Sequence, residues 1–294
     1  MALQLSVFKT RSLTALLFVG VMMLGILYSN TSYSVLFFLL MIIGWIEFAK
    51  LIDRIYERQT HVYITMGWIL NGLSICLLFS KSRFLLGDFS LKDNLLMPLH
   101  MAGVILLILG TFVSKALSFR HWIALAAGNL YLTIPFTIAE DLYGYGPLPD
   151  AVDVSFSAVW WVVVVIGTMW VNDTMAYLMG SLFGRTPFSK ISPKKTWEGT
   201  VSGILIATLL LGWLLDRSLY DESLSPFFGY LLIFLLAIAG TLGDLFESKL
   251  KRMAGVKDSG RLMPGHGGVL DRFDSLLFAL PVLYLFLRVT SLMY

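Results

Sequence analysis

Apolar blocks long enough to cross a bilayer recur from Leu13 to Tyr294, and no gap between them could hold a soluble domain. A helix needs about 20 mostly apolar residues to span the hydrocarbon core. Charged residues make up 14% of the chain and apolar ones 57%, against roughly a quarter and under half in soluble domains. That balance excludes a solvated globular enzyme, a disordered chain and a nucleic-acid binder; a formal net charge of +3 adds nothing for a nucleic acid. The expected fold is all-α, a polytopic integral membrane protein.

Nine spans are expected, at 12–28, 33–52, 61–79, 97–114, 121–139, 154–181, 200–215, 226–246 and 273–292. The fifth contains Pro135, which a membrane helix tolerates when neighbours satisfy the freed carbonyl. The basic start, Lys9 and Arg11, resembles a signal peptide, but no small-residue cleavage site follows, so a retained helix is expected. The single cysteine, Cys76, lies inside an apolar block and is expected as a core thiol. Basic residues stay on the cytoplasmic side. With nine alternating spans, 17 of the 22 lysines and arginines share the side of the N-terminus. The N-terminus is therefore expected in the cytoplasm and the C-terminus outside. Residues 1–150 read as about five N-terminal helices, and 151–294 as a C-terminal catalytic region with cytoplasmic loops at 182–199 and 247–272.

Eleven of the 41 charged residues lie between Thr241 and Ser275, acids and bases mixed. A basic topology anchor needs neither the acids nor the glycines found there. Leu242, Leu245, Phe246, Leu250 and Met253 keep helical spacing, so the eighth span is expected to continue as an amphipathic helix. Asp244, Ser248 and Lys251 then stand on its opposite face. Asp271 and Asp274 stack at i and i+3 at the entry to the ninth span. Stacked carboxylates repel unless a cation lies between them, and oxygen-only ligands favour a hard ion such as Mg²⁺. A helix-start charge effect explains one of these aspartates well and both less well.

Between the two helices runs Pro264-Gly265-His266-Gly267-Gly268, whose glycines let backbone amides approach an anion. Lys249, Lys251, Arg252, Lys257 and Arg261 surround it and point to polyphosphate. A second cluster, Ser192-Pro193-Lys194-Lys195-Thr196-Trp197-Glu198-Gly199, suits a phosphate near lipid headgroups. Asp173, at membrane depth, costs roughly 2.5–3.5 kcal/mol on insertion scales, so it is expected to face a polar cavity or a partner.

These residues resemble the signature of phosphatidate cytidylyltransferases (CDP-diacylglycerol synthases). The likeness is carried by Ser248-Lys249-Leu250-Lys251-Arg252, Lys257-Asp258-Ser259-Gly260, Pro264 to Gly268 and Asp271-Arg272-Phe273-Asp274. It extends to Gly243-Asp244-Leu245, the Ser192 to Gly199 block and Asn172-Asp173-Thr174. Met263, Asn172 and Met175 depart from the common pattern, and none removes a charged or glycine element.

The resemblance implies transfer of CMP from CTP to phosphatidic acid, giving CDP-diacylglycerol and pyrophosphate, with Mg²⁺. It implies metal ligation by Asp244, Asp271 and Asp274, a nine-helix bundle and a homodimer in the inner (cytoplasmic) membrane with its active site facing the cytoplasm. Lys251 joins these aspartates as a catalytic candidate. Ser248, Arg252, Lys257, His266, Gly267, Gly268 and Arg272 are expected to bind nucleotide or phosphate. Lys194 and Lys195 could hold either the lipid phosphate or the nucleotide. The attacking lipid phosphate is largely ionised at neutral pH, so no strong base is needed; bringing two polyanions together calls for positioning and charge stabilisation. A CTP-dependent lipid kinase would instead need a base for a neutral hydroxyl. A CDP-alcohol phosphotransferase would carry an Asp-Gly-x-x-Ala-Arg run, absent here. A cation transporter would show repeated halves with matched midplane charges.

Overall fold

The computed structural model describes residues 5–57, 62–79, 85–86, 89–113, 118–145, 159–189, 191–218, 227–262 and 267–291. Among these the regular secondary structure is helical apart from one antiparallel pairing of two-residue strands, β1 (Leu85–Leu86) and β2 (Phe89–Ser90), and an isolated antiparallel bridge between Pro187 and Thr196. The helices are α1 (Leu5–Leu27), α2 (Asn30–Ile55), α3 (Val62–Phe79), α4 (Leu91–Ile108), α5 (Phe119–Gly128), α6 (Ile134–Tyr145), α7 (Val159–Phe183), α8 (Trp197–Ser218), α9 (Phe228–Met253) and α10 (Leu270–Ser291).

By length and composition, seven helical runs among the described residues suffice to cross a membrane. They contain α2, α4, α5 with α6, α7, α8, α9 and α10. Two shorter apolar stretches, Leu16–Leu27 and Ile64–Phe79, overlap the first and third expected spans. The chain is a multi-pass membrane protein.

Several helices outrun the expected spans, each for a local reason. Ser90 accepts the Asp93 amide at 3.2 Å and so starts α4 six residues before the expected 97, with Asp93 in the favourable first turn. Thr196 accepts the Gly199 amide at 3.2 Å, so α8 begins at Trp197 and takes the end of the expected 182–199 loop. Pro135 has no N–H and its ring crowds the carbonyl four residues back. The helix answers by widening to a π-turn over Asn129–Thr133, which keeps α5 and α6 one continuous run.

The chain divides into two compact units. The first comprises Met1–Gly146, Ser157–Val159 and Leu250–Phe273. Its core lies along α2, where Tyr33, Phe37, Met41 and Trp45 are buried. Tyr33 donates its hydroxyl to the Ala139 carbonyl at 2.7 Å, and the Trp45 indole N–H reaches Thr133 Oγ1 at 3.2 Å. Glu140, just past the end of the expected span 121–139, is buried inside α6 and accepts from Ser34 at 3.0 Å. Cys76 is buried and free, as expected.

The second unit comprises Pro147–Phe156, Trp160–Lys249 and Asp274–Tyr294. In lipid, helices associate by close packing, and small residues let backbones approach. Gly199 and Gly203 of α8 lie against Ala176 and Gly180 of α7. Gly243 of α9 faces the Asp274 carbonyl so closely that any Cβ there would collide with it. Large apolar side chains such as Leu209, Leu242 and Leu285 are more than half exposed, as a lipid-facing exterior requires.

Candidate active site

The last turns of α9 and the first of α10 carry most of the expected residues. Over its 26 residues, at 1.5 Å each, α9 runs about 39 Å, longer than the roughly 30 Å hydrocarbon core. The expected apolar stripe points outward: Leu242 is 52% exposed and Met253 56%. The polar face is the inner one, the reverse of a soluble amphipathic helix.

In the second unit Asp244 and Glu247, at i and i+3 on α9, meet Asp274 of α10. One carboxylate oxygen from each lies within 4.8 Å of the others. Glu247 is fully buried and Asp274 half-buried. The close approach of α10 to Gly243 sets this spacing. Three carboxylates at such range repel strongly in a low-dielectric setting; an all-oxygen donor set of this kind fits a hard divalent cation.

Lys195 supplies one positive charge there by pairing with Asp244. It is delivered by a short hairpin between α7 and α8. Phe188 donates its amide to Lys195 O at 2.8 Å, and Trp197 donates to Thr186 O at 3.0 Å. Glu198, in the first turn of α8, accepts the amides of Arg185 and Thr186, each at 3.2 Å. Phe188 packs edge-on against Trp197 with centroids 4.5 Å apart. Lys194, beside Lys195, is exposed. On α7, Asn172 donates to Thr241 Oγ1 at 3.4 Å, and Asp173 is exposed.

In the first unit α9 ends on Gly255, at φ +66°. Val256 N–H bonds Lys251 O at 2.9 Å and Gly255 N–H bonds Arg252 O at 3.1 Å, the Schellman pattern. This stop leaves Lys251 in the last turn, where its Nζ reaches Asp271 Oδ1 at 2.6 Å. The other oxygen of Asp271 accepts from Gly268 N at 2.7 Å, Ser259 N at 2.8 Å and Ser259 Oγ at 2.9 Å.

The expected metal ligands are therefore placed differently from one another. Asp244 and Asp274 share the three-carboxylate cluster, and its third member is Glu247. Asp271 is engaged by Lys251 and by the loop it closes. Ser248 stays near Asp244, at 3.5 Å. Arg252, Lys257 and Arg272 are exposed, Arg252 bonding Val256 O at 3.3 Å. Gly267 adopts φ +88°, while the Gly268 N–H is donated to Asp271. His266 lies outside the described residues.

Two acids escaped the sequence reading. Glu247 was legible, since i+3 from Asp244 is one helical face. Glu47 of α2 was not: its carboxylate bonds Ser259, Val269 and Leu270, more than 200 positions away.

Helices that cross a membrane and close on clustered carboxylates, with a lysine hairpin against one of them, define a membrane protein suited to phosphate and cation chemistry. The chain belongs to the cytidylyltransferase family, whose pattern it matches over residues 9–290, and is a nucleotidyltransferase. It is 38% identical over 223 residues to a phosphatidate cytidylyltransferase of Synechocystis, covering 74% of this chain and 69% of that one. It is 30% identical over 280 residues to the phosphatidate cytidylyltransferase of Staphylococcus haemolyticus, covering 95% and 98%. With the Helicobacter pylori J99 enzyme of the same name it shares 44% over 134 residues, 45% of this chain and 48% of that one.

Proposed function

We propose that this nucleotidyltransferase moves CMP from CTP to phosphatidic acid, yielding CDP-diacylglycerol and pyrophosphate. The observation that carries the reading is the Asp244, Glu247 and Asp274 cluster in a chain similar along its length to phosphatidate cytidylyltransferases. Its oxygen donors suit Mg²⁺, which they would hold, and the pull of Lys195 onto Asp244 is in keeping with a site that attracts positive charge. When bound, the ion neutralises charge on the transferring phosphoryl group and on pyrophosphate.

The remaining work falls to the chain. Both substrates are polyanions, so the protein has to position and neutralise rather than supply a nucleophile. Lys251, Arg252, Lys257, His266 and Arg272 serve the triphosphate in this reading, with Gly267 beside them. Asp271 orients Lys251, and the resemblance also makes it a metal ligand. Lys194 and Lys195 neutralise the lipid phosphate or the nucleotide. Asp173 serves as a cavity carboxylate in this reading.

Nine spans, a cytoplasmic N-terminus and cytoplasmic site in the inner membrane, and a homodimer belong to the same reading, the dimer by resemblance alone. The test uses purified protein in mixed micelles with phosphatidic acid, α-labelled CTP and Mg²⁺. Label in the lipid with stoichiometric pyrophosphate, lost on chelation, is expected. No label from α-labelled CTP, but transfer from γ-labelled CTP to a polyprenol, would replace the reading with a lipid kinase.

A further inference from the structure

Glu47 stands on α2 in an otherwise apolar run, only 4% exposed. Burying a carboxylate is costly unless hydrogen bonds replace its water. It accepts Val269 N at 3.0 Å, Leu270 N at 2.9 Å and Ser259 Oγ at 2.8 Å. The first two are amides at the start of α10, where a helix has no internal acceptors and carries its positive end. Asp271 takes the preceding amide, Gly268 N, at 2.7 Å. Two carboxylates from opposite ends of the sequence thus hold three consecutive amides and share one serine hydroxyl.

The seat of Glu47 also explains two glycines. A Cβ at either Gly260 or Gly268 would run into its carboxylate oxygens. Part of the glycine signature therefore exists to admit an internal carboxylate as well as any ligand.

We propose that Glu47 is a positioning residue for nucleotidyl transfer, clamping residues 259–260 and 268–270 so that Asp271 holds Lys251 in place. Lys251 Nζ sits 2.6 Å from Asp271 Oδ1, and Asp271 is fixed on its other oxygen by the same serine and loop that Glu47 grips. The inference rests on the reaction proposed above, and its first consequence falls on CTP, the substrate assigned to Lys251.

Glu47→Gln keeps the volume but turns an NH₂ group toward a backbone donor. It is compared with wild type by varying CTP and phosphatidate separately, by thermal unfolding in detergent, and by hydrogen exchange over residues 259–271. We expect kcat/KM for CTP to fall at least about tenfold with KM for phosphatidate within about twofold and the fold intact. Residues that act through one pair are not additive, so Glu47→Gln combined with Lys251→Ala should be no worse than Lys251→Ala alone. Faster exchange over 259–271 would register the loosened clamp without reference to activity. Unchanged CTP kinetics, multiplicative losses in the double variant, unchanged exchange, or an activity loss matched by unfolding would each overturn the proposal. A folded wild type that exchanges slowly over 259–271 but transfers no CMP would overturn the proposed reaction instead and leave the clamp standing.

Discussion

At the scale of single residues, carboxylates divide by what they touch. Asp244, Glu247 and Asp274 sit within 4.8 Å of one another, whereas Asp271 spends its oxygens on Lys251, Ser259 and Gly268. Asp274→Asn should therefore lower kcat by about 10²–10³-fold, as loss of one preorganised electrostatic group does, and raise the Mg²⁺ needed for half-maximal activity. A Mg²⁺ titration of CMP transfer checks this; an unshifted midpoint would take Asp274 out of the cation's reach. Asp271→Asn should raise the CTP requirement through Lys251, and a Mg²⁺ titration of the same variant tests the ligand role that the resemblance gives it. Lys195→Ala removes the lysine paired with Asp244 in the three-carboxylate cluster, so some loss of stability should accompany it as that charge goes uncompensated. Its effect should appear in turnover, read by steady-state kinetics beside a detergent melting curve.

At the scale of elements, two glycines position candidate side chains, one in each unit. Gly255, at φ +66°, ends α9 just after Lys251. Gly255→Ala forces a side chain into the left-handed region at a cost of about 1–2 kcal/mol, measurable as a lower melting temperature. Gly243 lets α10 lie against α9, and a Cβ there would strike the Asp274 carbonyl. Gly243→Ala should push Asp274 away and reduce activity by more than its loss of stability explains; parallel assays of transfer and melting separate the two. The persistence of α9 to Met253 and the i, i+3 stacking of Asp271 and Asp274 were readable from spacing. The exact starts of α4 and α8 were not, because they depend on which serine or threonine captures a particular amide.

At the scale of the whole molecule, the proposed nine spans with the C-terminus outside rest on lysine and arginine placement. A C-terminal reporter active only outside the cytoplasm should be active, and the same reporter placed after residue 218 should be active too. Activity of a fusion at residue 257 would reverse the orientation. Long apolar blocks determine helices across a membrane, because lipid leaves the backbone no other way to satisfy its polar groups in so long a segment. The spacing of acids, bases and glycines in the C-terminal half determines the family, because that chemistry is local in sequence. Only the tertiary structure decided that Asp274 of α10 meets Asp244 and Glu247 of α9 and that Glu140 is buried against Ser34. It alone decided that Glu47 grips the start of α10. A lone carboxylate in an apolar block has no periodic signature, and its role depends on which distant backbone amides packing brings within hydrogen-bond reach.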